Sequence, residues 1–240
     1  MRKVLALSLA LILILGIMSH GTSGYFSDTE GGSGTICAWV GCPPGSLIIV
    51  SDTDTMVTAF NNMPITPTPQ NVVVAWQPYD PNNDHWNTSI TYNSIPYTFS
   101  DGAQWIWYTE RVQDPVSGEV VRFERTFEIP CSPIGAELYI TVDNGYTVWL
   151  NGHLVGCAQV TPCEGWENYD LTEAYVHRHD WMTVEHYIID STYLVEGENV
   201  LVILAANEHY DVADGNGSTG TEDNNPAGLI YWLEVTWGGW

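Results

Sequence analysis

From residue 47 onward, short apolar stretches recur between turn residues, and none of them follows a helical spacing. The clearest alternate with period two. Val121, Phe123, Arg125, Phe127 and Ile129 fall on one face of a strand, and Ala136, Leu138, Ile140 and Val142 fall on one face of the next. Such alternation is the mark of a half-buried strand. Residues 146–150 and 153–155 flank the dipeptide Asn151-Gly152. Because a type I′ turn needs positive φ at both central residues, Asn-Gly between apolar runs predicts a two-residue hairpin. Further strands are expected over residues 72–76, 104–109, 184–189, 199–205 and 229–237. Many short strands joined by Gly, Asn and Pro turns predict an all-β fold, a sandwich or jelly roll. No internal repeat of fixed period is visible.

The N-terminal region has a different pattern. Arg2 and Lys3 precede an apolar run over residues 4–18, and small and polar residues follow from Ser19 to Gly24. This is the order of a secretory signal, and fifteen residues fall short of the roughly twenty that a spanning helix needs. Residues 1–24 are therefore expected to be a signal peptide, with no transmembrane span after cleavage. Residues 25–46 are rich in Gly, Ser, Thr and Pro, which predicts an extended arm or linker. A β-sandwich domain is expected over residues 47–240.

Composition changes this picture in three ways. Outside the signal the chain has four Arg and no Lys against 29 acids, too few cations to neutralise phosphates, so nucleic acid is excluded as a partner. Eleven Trp and thirteen Tyr outnumber five Phe, a bias towards rings that keep one edge wet, as at sugar-binding surfaces and protein interfaces. Five cysteines in an exported chain imply disulfides. Spacing favours two local bridges, Cys37–Cys42 and Cys157–Cys163, with Cys131 left over. Asn87 and Asn216 head Asn-x-Ser/Thr triplets, the acceptor pattern for glycans on exposed loops.

Two stretches resemble known families. Residues 21–30, Gly-Thr-Ser-Gly-Tyr-Phe-Ser-Asp-Thr-Glu, resemble the signal region of camelysin and TasA-like exported proteins, which implies export to the envelope or matrix. The body is similar to the galactose-binding-like jelly rolls that accompany rhamnosidases, β-galactosidases and many surface proteins. Carrying that resemblance, in order, are Trp105-Ile106-Trp107, the run 122–127, the run 136–144 leading into Val148-Trp149-Leu150-Asn151-Gly152, then Trp166, the run 169–172, the run 194–201 and the run 225–229. It implies a fold and no single function, since such modules bind sugars, pack against catalytic domains or connect.

Three sets of residues are candidates for chemistry. Aromatics at loop-like positions, Trp76, Tyr79, Trp86, Trp166, Tyr169, Trp181 and Tyr210, suit stacking on a sugar ring while nearby acids and amides take its hydroxyls, although Trp166 and Trp105 equally suit the core. The acidic, glycine-containing loop with Asp211, Asp214, Asn216 and Asp223 suits calcium, as does the set Asp80, Asn82, Asn83 and Asp84. His177 and His179, with Glu185, His186 and His209, offer transition-metal ligands. No nucleophile elbow, phosphate loop or zinc-protease motif occurs, so no enzyme is expected. The leading expectation is an exported structural or adhesive protein, assembling with itself into a filament, sheath or matrix. The alternatives are a monomeric carbohydrate-binding module for cell-surface glycans, and a metal-dependent jelly-roll enzyme.

Overall fold

In the computed structural model the described residues are 42–61, 63–64, 70–75, 88–90, 96–112, 118–168, 183–208 and 227–238. The chain divides into two units, Met1–Pro44 with Gly238–Trp240, and Gly45–Trp237. Every strand among the described residues lies in the second unit, which is the subject below. No helix among the described residues is long and apolar enough to cross a membrane.

Three long strands form the frame, β9 (Glu119–Ile129), β10 (Pro133–Asp143) and β14 (Gly197–Asn207). β9 and β10 are apolar runs in which alternate side chains are buried over much of their length, and β14 is buried continuously from Leu201 to Asn207. They separate into two antiparallel sheets. In the first, β10 lies between β13 (Glu185–Asp190) and β15 (Gly228–Trp237). The far edge of β15 is shared by β1 (Gly45–Val50) and then β8 (Ile106–Trp107), and β5 (Val73–Val74) pairs with β8. In the second sheet the order is β12 (His153–Ala158), β11 (Gly145–Leu150), β14, β9 and β2 (Met56–Phe60). The short strands β3 (Met63–Pro64) and β4 (Gln70–Asn71) both pair with β2. A separate hairpin joins β6 (Ser89–Ile90) to β7 (Tyr97–Thr98). The fold is the expected all-β sandwich.

The core lies between the sheets, where Phe123, Leu138, Ile140, Tyr146, Leu150, Leu201, Tyr231 and Leu233 are buried. Asn151 and Gly152 have φ of 51° and 80°, as the predicted turn between β11 and β12 requires. The Asn151 side chain also accepts from Val200 N at 2.9 Å and donates to the Tyr193 carbonyl at 2.9 Å, which fixes the hairpin against its neighbours.

Two expected strands shrink for one reason. Over residues 72–76 only β5 remains, and over 104–109 only β8. Residues 70–75 cross from one sheet to the other. β4 pairs in the second sheet and β5 in the first, and Val72 between them is buried with its N–H on the Thr55 carbonyl at 3.2 Å. A segment that changes sheets gives each only a short ladder.

Cysteine pairing also departs from expectation. Cys157 and Cys163 are bonded as predicted. Cys131, however, expected to be left over, is disulfide-bonded, as is Cys42; the expected partner Cys37 lies outside the described residues. Spacing alone favoured the nearest partner and could not register that Cys131 is buried where β9 ends.

Candidate functional site

β9, β10, β11 and β14 have termini at one rim of the sandwich, and the polar residues that close their apolar runs meet there. Asp143 ends β10 opposite Gly228, and Asn207 ends β14 opposite Glu119. Asn144 links the sheets. Its N–H donates to the Ala206 carbonyl at 2.6 Å, and its Oδ1 accepts from Glu208 N at 2.7 Å. Asp143, Asn144, Asn207, Glu208 and Glu119 are all buried.

These buried acids are in different states. Glu119 accepts from Trp107 Nε1 at 3.0 Å and from Tyr108 Oη at 3.2 Å, so it is part of the packing. Asp143 has no such donor pair. Burial first, and then the charge of Glu208, hold its carboxyl well above the usual carboxylate range. Two carboxylates in one desolvated place repel; protonation of Asp143 relieves that repulsion, and a cation would relieve it as well. Their hard oxygens, with the Asn207 amide alongside, suit calcium, which takes six to eight oxygen ligands. Two carboxylates and an amide fall short of that number, which leaves coordination positions for the hydroxyls of a bound molecule. Among the described residues no three of His, Cys, Asp and Glu form a metal-holding group.

Most residues singled out from the sequence lie outside the described residues. These are Trp76, Tyr79, Trp86, Tyr169, Trp181 and Tyr210 for sugar, and Asp211, Asp214, Asn216 and Asp223 for calcium. The same holds for Asp80, Asn82, Asn83 and Asp84, for the acceptor Asn87, for Cys37, for His177, His179 and His209, and for residues 21–30. Trp166 is described, and it is no stacking platform. It is fully buried against Val120, Val160, Leu204 and Ala206 on the outer side of the second sheet. Its Nε1 donates to Thr147 Oγ1 at 2.8 Å. Trp105 is likewise core.

Glu185 and His186 do not act together, because successive strand residues point to opposite faces. Glu185 turns inward and accepts from Thr183 Oγ1 at 2.9 Å and Tyr146 Oη at 3.3 Å. His186 points outward to Glu137 Oε2 at 3.3 Å. The rim residues Asp143, Asn144, Asn207 and Glu208 were missed in the sequence. The available signal was a pair of polar residues closing each of two strongly apolar strands.

No family model matches the chain, and no curated protein matches it either. Among solved structures it is similar to an α-L-rhamnosidase from Streptomyces avermitilis in complex with L-rhamnose, at 21% identity and TM-score 0.37, over 67% of this chain and 12% of that one. A β-glucuronidase from an uncultured Clostridium species matches at 11% identity and TM-score 0.39, over 90% and 31%. A family 35 carbohydrate-binding module from Clostridium thermocellum matches at 14% identity and TM-score 0.29, over 79% and 97%. The chain thus spans about an eighth of the rhamnosidase and under a third of the glucuronidase. None of these likenesses carries a function across to this chain.

Proposed function

We propose that this chain is an exported, non-catalytic carbohydrate-binding module whose site is the rim formed by Asp143, Asn144, Asn207 and Glu208, and which holds its sugar through a calcium ion. The observation that carries this reading is that Asp143 and Glu208 are both buried at this rim, near enough for the Glu208 charge to act on the Asp143 carboxyl. Ionising an acid in so dry a place costs stability, and a cation there would offset that cost. Vicinal hydroxyls of a sugar suit the ion's remaining positions, while the acids and amides around it accept and donate hydrogen bonds. Disulfides and an acidic, Lys-free body accord with a life outside the cell. No observation among the described residues favours a filament subunit over a binding module.

The test is thermal unfolding and calorimetry with calcium, with a chelator, and with a panel of neutral monosaccharides. At a hundred times its Kd, calcium stabilises by about 2.7 kcal/mol, which for a domain of this size raises Tm by roughly 5–10 °C. Asp143→Asn removes the repulsion, so the calcium-free protein should melt no lower than the parent, while the calcium shift and calcium-dependent sugar binding are lost. A calcium shift that survives Asp143→Asn, or sugar binding indifferent to the chelator, overturns the proposal.

A further inference from the structure

The outer face of the first sheet, away from that rim, carries a second arrangement. Registry places His186, Tyr139 and Trp232 side by side in one row across β13, β10 and β15. The Tyr139 ring is parallel to Tyr97 at 4.0 Å and to His186 at 4.2 Å. Two rings so close and parallel cannot share one face without overlapping, so Tyr97 and His186 enclose Tyr139 from opposite sides. Trp232 meets Tyr139 edge-on at 5.9 Å, and its Nε1 donates to Asp101 Oδ2 at 2.8 Å. Together these rings make an aromatic step.

Below the step, the next row reads Ile188, Glu137, Glu234 and Ile48. Ile188 is 81% exposed and Ile48 41% exposed. The row after that reads Asp190, Gly135, Thr236 and Ser46, in which Gly135 adds no side chain. The result is a shallow trough-like strip only in the sense that the aromatic step bounds it on one side, with isoleucines at its ends and two carboxylates between them.

Glu137 and Glu234 stand directly opposite each other, an arrangement of like charges that weakens a sheet. Arg122 and Arg125, on β9 of the other sheet, are engaged with Glu124 and with Asp52 and Asp54. Among the described residues the one partner of either glutamate is His186, which meets Glu137 at 3.3 Å. Asp101 adds a third acid at the step, and all three acids bear on the Tyr97 phenol, which burial and these charges push above its usual range.

We propose that this trough docks a basic peptide segment of a partner protein, one that presents Lys or Arg side chains between apolar residues. Charge complementarity chooses that occupant. A second copy would bring the same acidic face on a chain of net charge −23, and like charges face to face are costly. A sugar ring needs an open aromatic face, and both faces of Tyr139 are already covered. Lys and Arg bring cationic heads for Glu137 and Glu234, and methylene stems that lie against Ile188, Ile48 and the aromatic wall.

The experiment titrates the whole protein, by calorimetry at physiological salt, with the blocked peptide Arg-Leu-Arg-Leu-Arg. The double variant Glu137→Gln with Glu234→Gln should weaken binding at least about tenfold. A control uses Glu128→Gln with Glu198→Gln, a pair that is also directly opposed but lies on the other sheet; it should change binding less than about twofold. Melting curves verify that both doubles fold. Asp143→Asn should bind the peptide like the parent, so failure here is separate from failure of the sugar site. Equal weakening by both doubles, displacement of the peptide by a neutral oligosaccharide, or no binding at all overturns the proposal.

Discussion

Trp166→Ala is expected to destabilise the sandwich by about 3–5 kcal/mol, the range for deleting a large buried aromatic. Trp166 begins a single 3-10 turn, Trp166–Asn168, and lies outside the sandwich core proper. It is nonetheless fully buried, because the segment after β12 folds back over the outer face of the second sheet. There its indole packs on Val120, Leu204 and Ala206, residues that would otherwise show apolar surface to water. The Cys157–Cys163 bridge pins that segment, and Trp149 Nε1 holds it again through Glu164 Oε1 at 3.1 Å. A pinned segment cannot collapse into the hole, so the cavity persists and the loss should fall towards the upper part of the range.

Trp166→Phe separates the two contributions. Phenylalanine keeps most of the apolar contact and loses the hydrogen bond to Thr147 Oγ1, so it should cost about 1–2 kcal/mol. The assay is equilibrium urea unfolding followed by far-UV circular dichroism, with slopes compared to verify that the unfolded states match. A loss below about 1 kcal/mol for Trp166→Ala would refute the packing argument. Lost sugar binding at unchanged stability would do so as well, because it would mean that the ring works at the surface.

Two further outcomes follow from the seam between the sheet edges. Burial raises the Glu185 carboxyl above its ordinary value, against the pull of its hydrogen bonds from Thr183 and Tyr146. A raised folded value means that its contribution is full below the ordinary carboxylate range and is lost as pH rises through the folded value. Glu185→Gln, which cannot ionise, should therefore gain on the parent between pH 4 and pH 8 in urea midpoints, and a widening deficit at pH 8 would sink the idea. At Gly156, an added Cβ would lie 2.6 Å from Tyr187 Cζ and 2.9 Å from Cδ1. Gly156→Ala should cost about 1–3 kcal/mol by lifting the Tyr187 hydroxyl from the Cys157 carbonyl and from Tyr146. That cost should largely vanish in a Tyr187→Ala background, and an equal cost in both backgrounds would show that the ring is not the obstacle.

Period-two alternation made the frame legible, because it depends only on neighbours along the chain. The faces of β9 and β10 and the Asn151-Gly152 turn could all be read that way. Alternation does not tell which sheet a short segment joins, so the crossing at Val72 was invisible. It also makes sequence neighbours misleading, and Glu185 and His186, adjacent in the chain, end on opposite faces of β13. Loop aromatics were chosen on residue type alone. Trp166 shows the weakness of that choice, since a disulfide-pinned loop can be as buried as a strand.

The rim site was hidden by strand length rather than by chemistry. The sequence placed the ends of two strands at residues 142 and 205, whereas β10 runs to Asp143 and β14 to Asn207. Those few positions hold Asp143 and Asn207, with Asn144 and Glu208 next in the chain. Asn144 and Glu208 bond across 64 residues of sequence, a distance no local pattern spans. Yet their meeting follows from the frame. β10 and β14 run antiparallel to their neighbours in opposed sheets and finish at a common rim. The first polar residues able to end each apolar run are therefore delivered to the same place. Acids at the ends of exposed strands would be solvated and inert. Here the runs stay apolar up to their last residues, so the acids that close them, Asp143 and Glu208, are buried with the core.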